Sequence, residues 1–251
     1  MLPLERQDAI VTYLKEHHTA TVAELSKRFF ISETSIRRDL TKLERAGFLC
    51  KTYGGAVLVE GRNDVMAFEA RQATERTEKQ QIARKAVSLI KNGDVIFLDS
   101  SSTVLAMAPH LASFSNLTVI THGLKMALSL ASFSHLKIYV AGGFLAPNLY
   151  SCNGSLTALV IRQMHADKCF LSPRGLDFEA GVFCASEEEA HIRRIMMDRS
   201  NQTILVCDTK KIGQWSFAYL CALNEVDALV CDKAPEGQWA RRLKESNITL
   251  L

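Results

Sequence analysis

The chain has 251 residues, 47% apolar and 23% charged, enough for one large domain or a medium domain with a small partner around a real core. No stretch approaches the roughly 18 apolar residues of a membrane span, and MLPLERQDAI lacks a signal-peptide core, so a soluble, cytoplasmic protein without membrane partners is expected. A net charge of +3 is too small to mark a nucleic-acid binder, so the clustering of charge has to decide.

Residues 1–57 read as three helices and a hairpin. Ile10, Val11 and Leu14 share a face of the first helix, which ends at a polar HHTA break. Thr21 and Glu24 form a capping-box pair ahead of VAELSKRF. After a short break, Ser32 is placed to cap ETSIRRDLTKLERAG, with Ile36, Leu40 and Leu43 inward and Gly47 as its stop. FLCKTYGGAVLV then supplies two strand-like runs hinged on Gly54-Gly55.

Residues 58–74 form a polar, charged segment with little core pattern, read as a linker. From 75 to 251 strands and helices alternate. The apolar runs DVIFLD, LTVIT, KIYVAGG, KCFLS, TILVCD, ALVCD and NITLL are mostly separated by helical patterns, including STVLAMAPHL and EEEAHIRRIMMDR. Short continuous runs of this kind predict a mostly parallel sheet covered on both faces, hence an α/β fold for the larger domain. Pro109 should kink or shorten the helix that starts near Ser102.

Seven cysteines, at 50, 152, 169, 184, 207, 221 and 231, include no C-x-x-C pair. They are read as reduced thiols that behave as small hydrophobes, and no metal or cofactor is expected.

With its apolar stripe inward, the third helix leaves Thr34, Ser35, Arg37, Arg38 and Lys42 on its outer faces, with Ser32 at its start. Arg forks onto guanine or clamps phosphate, while Ser and Thr donate to phosphate oxygens. Lys51 and Tyr53 on the hairpin are placed to follow the DNA backbone as a wing. Three short helices followed by a Gly-Gly hairpin make a winged helix-turn-helix the expected fold of residues 1–57, with operator DNA as its partner.

ISETSIRRDLTKLERAGFLCKTYGGA resembles the DNA-binding signature of the DeoR family of bacterial transcriptional regulators, S-x-x-T-I-R-R-D-L followed by L-x-x-x-G and a GGA wing. Only Ser35 departs from it, standing where the family has Thr. The resemblance implies that Arg37 and Arg38 contact DNA and that Asp39 helps organise the helix; a solvated or internally paired carboxylate is the alternative for Asp39. More loosely, EKQQIARKAVSLIKNGDVIFLDSSSTV, THGL, AGG, EEEA and DTKKIG fall in the order of the family's effector-domain motifs. That likeness implies a domain resembling the ribose-5-phosphate isomerase and CoA-transferase folds and responding to phosphorylated sugars.

Read from the residues, Asp99 closes a strand, and Ser100, Ser101, Ser102 and Thr103 open the next helix with free N–H groups and hydroxyls suited to an anion. Thr121, His122 and Gly123, then Gly142 and Gly143, leave their strands in the same way and are expected to line the same crevice. Lys211 is placed to neutralise an anion. Arg174, beside Gly175 in SPRG, either adds a cation or points outward. By resemblance, Glu188 and Glu189 approach the effector and Asp208 belongs to the D-x-(S/T)-K motif. Glu189 and Arg193, four apart, are expected to pair on a helix face.

The expected role is a DNA-binding regulator, a repressor of a carbohydrate operon responding to a sugar phosphate and acting as a homodimer or homotetramer on palindromic operators. A ligand-dependent activator is the alternative. An isomerase-like enzyme is a third reading, disfavoured because no Gly-rich, Lys-containing loop accompanies the carboxylates at 99, 187–189 and 208.

Overall fold

A computed structural model describes residues 3–17, 19–45, 49–52, 54–58, 68–73, 76–146 and 150–251. Gly47, Tyr53 and most of the 58–74 segment lie outside the described residues. The chain divides into two compact units, residues 1–71 and 72–251.

In the first unit, α1 (Pro3–His17), β1 (Thr19–Thr21), α2 (Val22–Phe29), α3 (Glu33–Arg45), β2 (Leu49–Lys51) and β3 (Gly55–Leu58) follow one another. Ile10 and Leu14 of α1, Leu25 of α2, and Ile36, Leu40 and Leu43 of α3 form its core. The Thr21 hydroxyl accepts from Glu24 N at 3.1 Å while Glu24 Oε2 takes Thr21 N at 2.7 Å, the reciprocal cap the sequence predicts. The sheet has a strand that the sequence reading lacks. The segment read as a polar break contains β1, which pairs antiparallel with β3 in the order β1-β3-β2. Three residues carry no period of their own, so only the partner strand makes them a strand.

Helices α4 (Phe68–Ala73) and α5 (Arg76–Val87) lead into the strands β4 (Val95–Leu98), β5 (Thr118–Thr121), β6 (Lys137–Val140), β7 (Phe144–Ala146), β8 (Ser151–Asn153) and β9 (Ala166–Leu171). After them come β10 (Gly175–Asp177), β11 (Gly181–Cys184), β12 (Ser200–Cys207), β13 (Ala218–Cys221), β14 (Ala228–Cys231) and β15 (Thr249–Leu250). The intervening helices are α6 (Ser102–Leu105), α7 (Leu124–Leu130), α8 (Ser155–Arg162), α9 (Glu187–Asp198) and α10 (Gln238–Glu245).

All seven apolar runs of the sequence become one parallel sheet, in the order β15-β14-β12-β9-β4-β5-β6. Phe97, Cys169, Leu171, Leu205 and Leu229 bury its interior. The order sets the site. From β4 the chain proceeds outward through β5 to β6, then returns to the other side through β9, β12 and β14. Strands β4 and β9 are therefore neighbours at a topological switch point, the place in open α/β sheets where ligands bind outside the carboxyl ends of the strands.

STVLAMAPHL is shorter as a helix than its pattern suggests. Helix α6 ends at Leu105, and a 3-10 turn over Ala108–Ser113 takes up Pro109 near its start. Two small antiparallel sheets, β7-β8 and β10-β11-β13, are absent from the sequence reading. No helix among the described residues is long and apolar enough to cross a membrane. Cys152, Cys169, Cys184, Cys207, Cys221 and Cys231 are free and buried.

Candidate functional site

Helix α3 turns Thr34, Arg37, Arg38 and Lys42 to solvent, as its inward Ile36-Leu40-Leu43 stripe requires. Ser32, exposed at its start, reaches the half-buried Ser35 hydroxyl at 3.1 Å. Arg37 pairs with Glu33 at 3.3 Å along the same helix. Lys51 is drawn back onto the helix: its Nζ lies 3.0 Å from Thr41 Oγ1 and 3.7 Å from Glu44. Asp39 is fully buried and faces α1, where Arg6 pairs with it and Gln7 donates to it at 3.1 Å. Of the alternatives for this carboxylate, the internal pair is the one observed.

In the second unit the loop after β4 is buried along its length, with Asp99 wholly so and Ser100, Ser101, Ser102 and Thr103 nearly so. The Ser101 hydroxyl caps α6 by accepting from Val104 N at 3.2 Å. Asp99 is committed to the protein on both oxygens. Its Oδ1 accepts from Ser101 N at 2.9 Å, and its Oδ2 accepts from Ser172 N, also at 2.9 Å, across the switch point. Arg193 of α9 completes the arrangement, 3.0 Å from Asp99 Oδ2 and 3.6 Å from Glu189. Asp99 and Glu189 thus sit on either side of one buried guanidinium.

The other expected residues fall at different distances from this centre. Lys211 donates to Ser172 Oγ at 3.0 Å and lies 3.7 Å from Asp208, which is buried at the end of β12. Burial, with Arg174 and Arg193 nearby, lowers the Lys211 pKa, and Asp208 offsets part of that. Arg174 is half-buried and follows β9, next to the buried Gly175. At the end of β5, Gly123 packs on the Ser100 backbone so closely that a Cβ there would fall 2.9 Å from Ser100 Cα. Thr121 Oγ1 accepts from Gly123 N at 3.0 Å, and His122 is buried with Nδ1 3.0 Å from Cys152 O. Burial lowers the His122 pKa against the Cys152 carbonyl and Asp99, which raise it. Gly142 and Gly143 are exposed after β6; a Cβ on Gly143 would meet Thr157 Oγ1 at 2.2 Å. Glu188 points away into solvent, one residue from the buried Glu189.

One arc of contacts therefore runs from Lys211 through Ser172 and Asp99 to Ser101, and from Ser100 through Gly123 to β8. It combines cationic, hydroxyl and backbone donors with buried acceptors, a surface suited to recognition of a small polar anion.

Both units match known proteins. Residues 6–62 match the DeoR-like helix-turn-helix domain, and residues 74–233 match the DeoR C terminal sensor domain. The chain belongs to the DeoR family of transcriptional regulators. Among DeoR-family relatives, it is 37% identical to the HTH-type transcriptional regulator GolR of Listeria innocua serovar 6a over 92% of this chain and 91% of that one. With the HTH-type transcriptional repressor GlcR of Bacillus subtilis it shares 34% identity over 98% of this chain and 95% of that one. A solved ribose 5-phosphate isomerase from Methanocaldococcus jannaschii is similar at 14% identity, with a TM-score of 0.41 over 55% of each chain.

Several residues of the DeoR sensor domain escaped the sequence reading. The sequence predicts that Arg193 pairs with Glu189, and it does at 3.6 Å; that both are buried follows from Glu189, Arg193 and Met196 falling at i, i+4 and i+7 on the inner side of α9. That spacing was available as a signal. Ser172, Ser151 and Asn153 gave none, because their place depends on strands paired from distant parts of the chain.

Proposed function

We propose that the chain is a repressor of a carbohydrate-utilisation operon, whose operator binding is modulated by a phosphorylated sugar held at the 99–103 loop. The observation that carries this reading is the convergence at the β4–β9 switch point of the buried Ser100–Thr103 loop and Lys211, joined through Ser172. Ser102, Thr103, nearby backbone N–H groups and Lys211 supply donors and positive charge for a phosphate. Asp99 acts by positioning: engaged by two N–H groups and Arg193, it holds the loop rather than the ligand.

Thr34, Ser35, Arg37, Arg38 and Lys42 contact operator DNA in this proposal, with Ser32 at the helix start and Lys51 supporting the wing. Paired copies suit a palindromic operator. Strand β6 at the sheet edge, β7 and α8 leave Tyr139, Val140, Phe144, Leu145, Leu156 and Leu159 exposed, apolar surface that supports association of copies.

Repression is favoured over activation by the name of the Bacillus subtilis relative, a transcriptional repressor. An isomerase reading has less support, because Asp99 and Glu189, two of its acid/base candidates, are held by Arg193.

Calorimetry with a panel of sugar phosphates on the wild type and Ser102→Asp tests the site. Binding by the wild type and its loss in the variant is expected; equal binding by both rejects the location. Operator binding with and without the bound sugar phosphate separates repressor from activator.

A further inference from the structure

On the segment after β5 and on β8, the buried His122 Nε2, Ser151 Oγ and Asn153 Oδ1 have no hydrogen-bond partner among the described residues; Asp208 Oδ2, which Lys211 faces at 3.7 Å at the end of β12, is another such atom. His122, Ser151 and Asn153 are 1%, 1% and 5% exposed. They lie on two segments that run together. Cys152 N donates to His122 O and Leu124 N to Tyr150 O, each at 2.8 Å, and Gly123 bridges to Ser151. Gly123 in turn rests on Ser100. Strands β4 and β5 are neighbours about 4.8 Å apart, which sets the segment that carries His122, and β8 bonded to it, alongside the β4 loop.

The chemistry of these atoms is one-sided. His122 Nδ1 faces a carbonyl oxygen and therefore donates to it, which leaves Nε2 of the neutral ring as an acceptor. Burial favours that neutral ring. Asn153 Oδ1 accepts only, and Ser151 Oγ both accepts and donates. The cation lies instead toward β9 and β12, where Lys211 donates to Ser172 and faces Asp208 at 3.7 Å. A phosphate or carboxylate oxygen set against His122 Nε2 and Asn153 Oδ1 meets other acceptors, whereas a hydroxyl satisfies them. Buried acceptors without donors are costly, which gives a hydroxyl-bearing ligand a bond to supply. All three atoms are sealed from bulk solvent, so admitting a ligand hydroxyl requires a small displacement of β8.

We propose that His122, Ser151 and Asn153 form a hydroxyl-reading subsite for the uncharged end of the effector, so that the site takes monophosphates of polyhydroxylated ligands and rejects a second anionic group. The proposal rests on the anion site at 99–103 and assigns a separate role to β8, which that reading leaves without one.

Calorimetric titration of the full chain with inorganic phosphate, glycerol 3-phosphate, and pentose and hexose monophosphates and their bisphosphates tests it. Wild-type affinity is expected to rise with the number of hydroxyls and to fall at least tenfold from a monophosphate to the matching bisphosphate. Asn153→Leu and Ser151→Ala, each with a Tm near wild type, should weaken the sugar monophosphates at least tenfold and change inorganic phosphate less than twofold. Should one variant fail to fold, the other carries the test. Parallel weakening of phosphate and sugar phosphates, no weakening in either variant (atoms that hold only water), or equal affinity for bisphosphates overturns the subsite. Loss of binding in Ser102→Asp with both β8 variants unchanged removes this inference alone. A panel that binds equally well to Ser102→Asp and the wild type removes the anion site beneath it.

Discussion

The Arg193 guanidinium stands 3.0 Å from Asp99 Oδ2, with both side chains buried, and so fastens α9 to the end of β4. A buried ion pair of this kind is weak evidence for net stability, but removing one partner leaves the other charged and unpaired. Arg193→Met should therefore cost about 3–5 kcal/mol in urea denaturation. Arg193→Met/Asp99→Asn removes both members of this pair and leaves only Glu189 charged, so it should recover part of the cost. A cost in the double variant equal to the sum of the two singles would show that the charges are not coupled.

Asp39 and Arg38 are adjacent in sequence and opposite in consequence. Asp39 is buried against Arg6, so Asp39→Ala should destabilise the first unit by about 3 kcal/mol or more and lower DNA affinity only through lost folding. Arg38 is exposed, and Arg38→Ala should leave Tm unchanged, weaken operator binding and reduce the salt slope of log K by about 1. Affinity measurements over a salt series, beside thermal melts, distinguish the two behaviours.

Much of this architecture was legible because it rests on local pattern. VIFL, ILVC and ALVC are continuous apolar runs, since a parallel strand covered on both faces has no polar side. Helix α3 declared its inner stripe by spacing, and Thr21 and Glu24 their cap. What stayed hidden depends on partners distant in sequence. GVFC of β11 is a strand because β10 and β13 flank it, and TAT of β1 because β3 lies beside it. The candidate site divides the same way. FLDSSST shows a strand leaving through small polar residues, but not that its aspartate is taken by an arginine ninety-four positions on.

His122 gives stability a defined pH dependence. Its pKa is lowered in the folded chain, first by burial, from the ordinary 6.5. Well above 6.5 both folded and unfolded chains carry a neutral ring, so it contributes no slope. As pH falls below 6.5 the unfolded chain takes up a proton that the folded chain resists, and stability declines. His122→Phe should flatten that part of a stability-versus-pH curve measured by urea denaturation between pH 7 and 5. An unchanged slope in the variant would assign the loss to other groups.

Phe30 ends α2 in a left-handed conformation, φ 56° and ψ 42°, with its N–H bonded to Ser26 O and its ring 93% exposed. Helices commonly close this way with glycine, because a side chain in that region is strained by roughly 1–2 kcal/mol. Replacing Phe30 with glycine relieves the strain and, since the ring is exposed, removes little buried apolar area. The extra freedom of glycine in the unfolded chain costs about 0.5–1 kcal/mol in return. Phe30→Gly should therefore stabilise the protein by about 0.5–1 kcal/mol, and Phe30→Ala, which keeps the Cβ, should change it little. Urea denaturation of the three proteins decides the point: equal destabilisation in both variants would mean that the ring is held by contacts in solution, and that the left-handed turn persists for that reason.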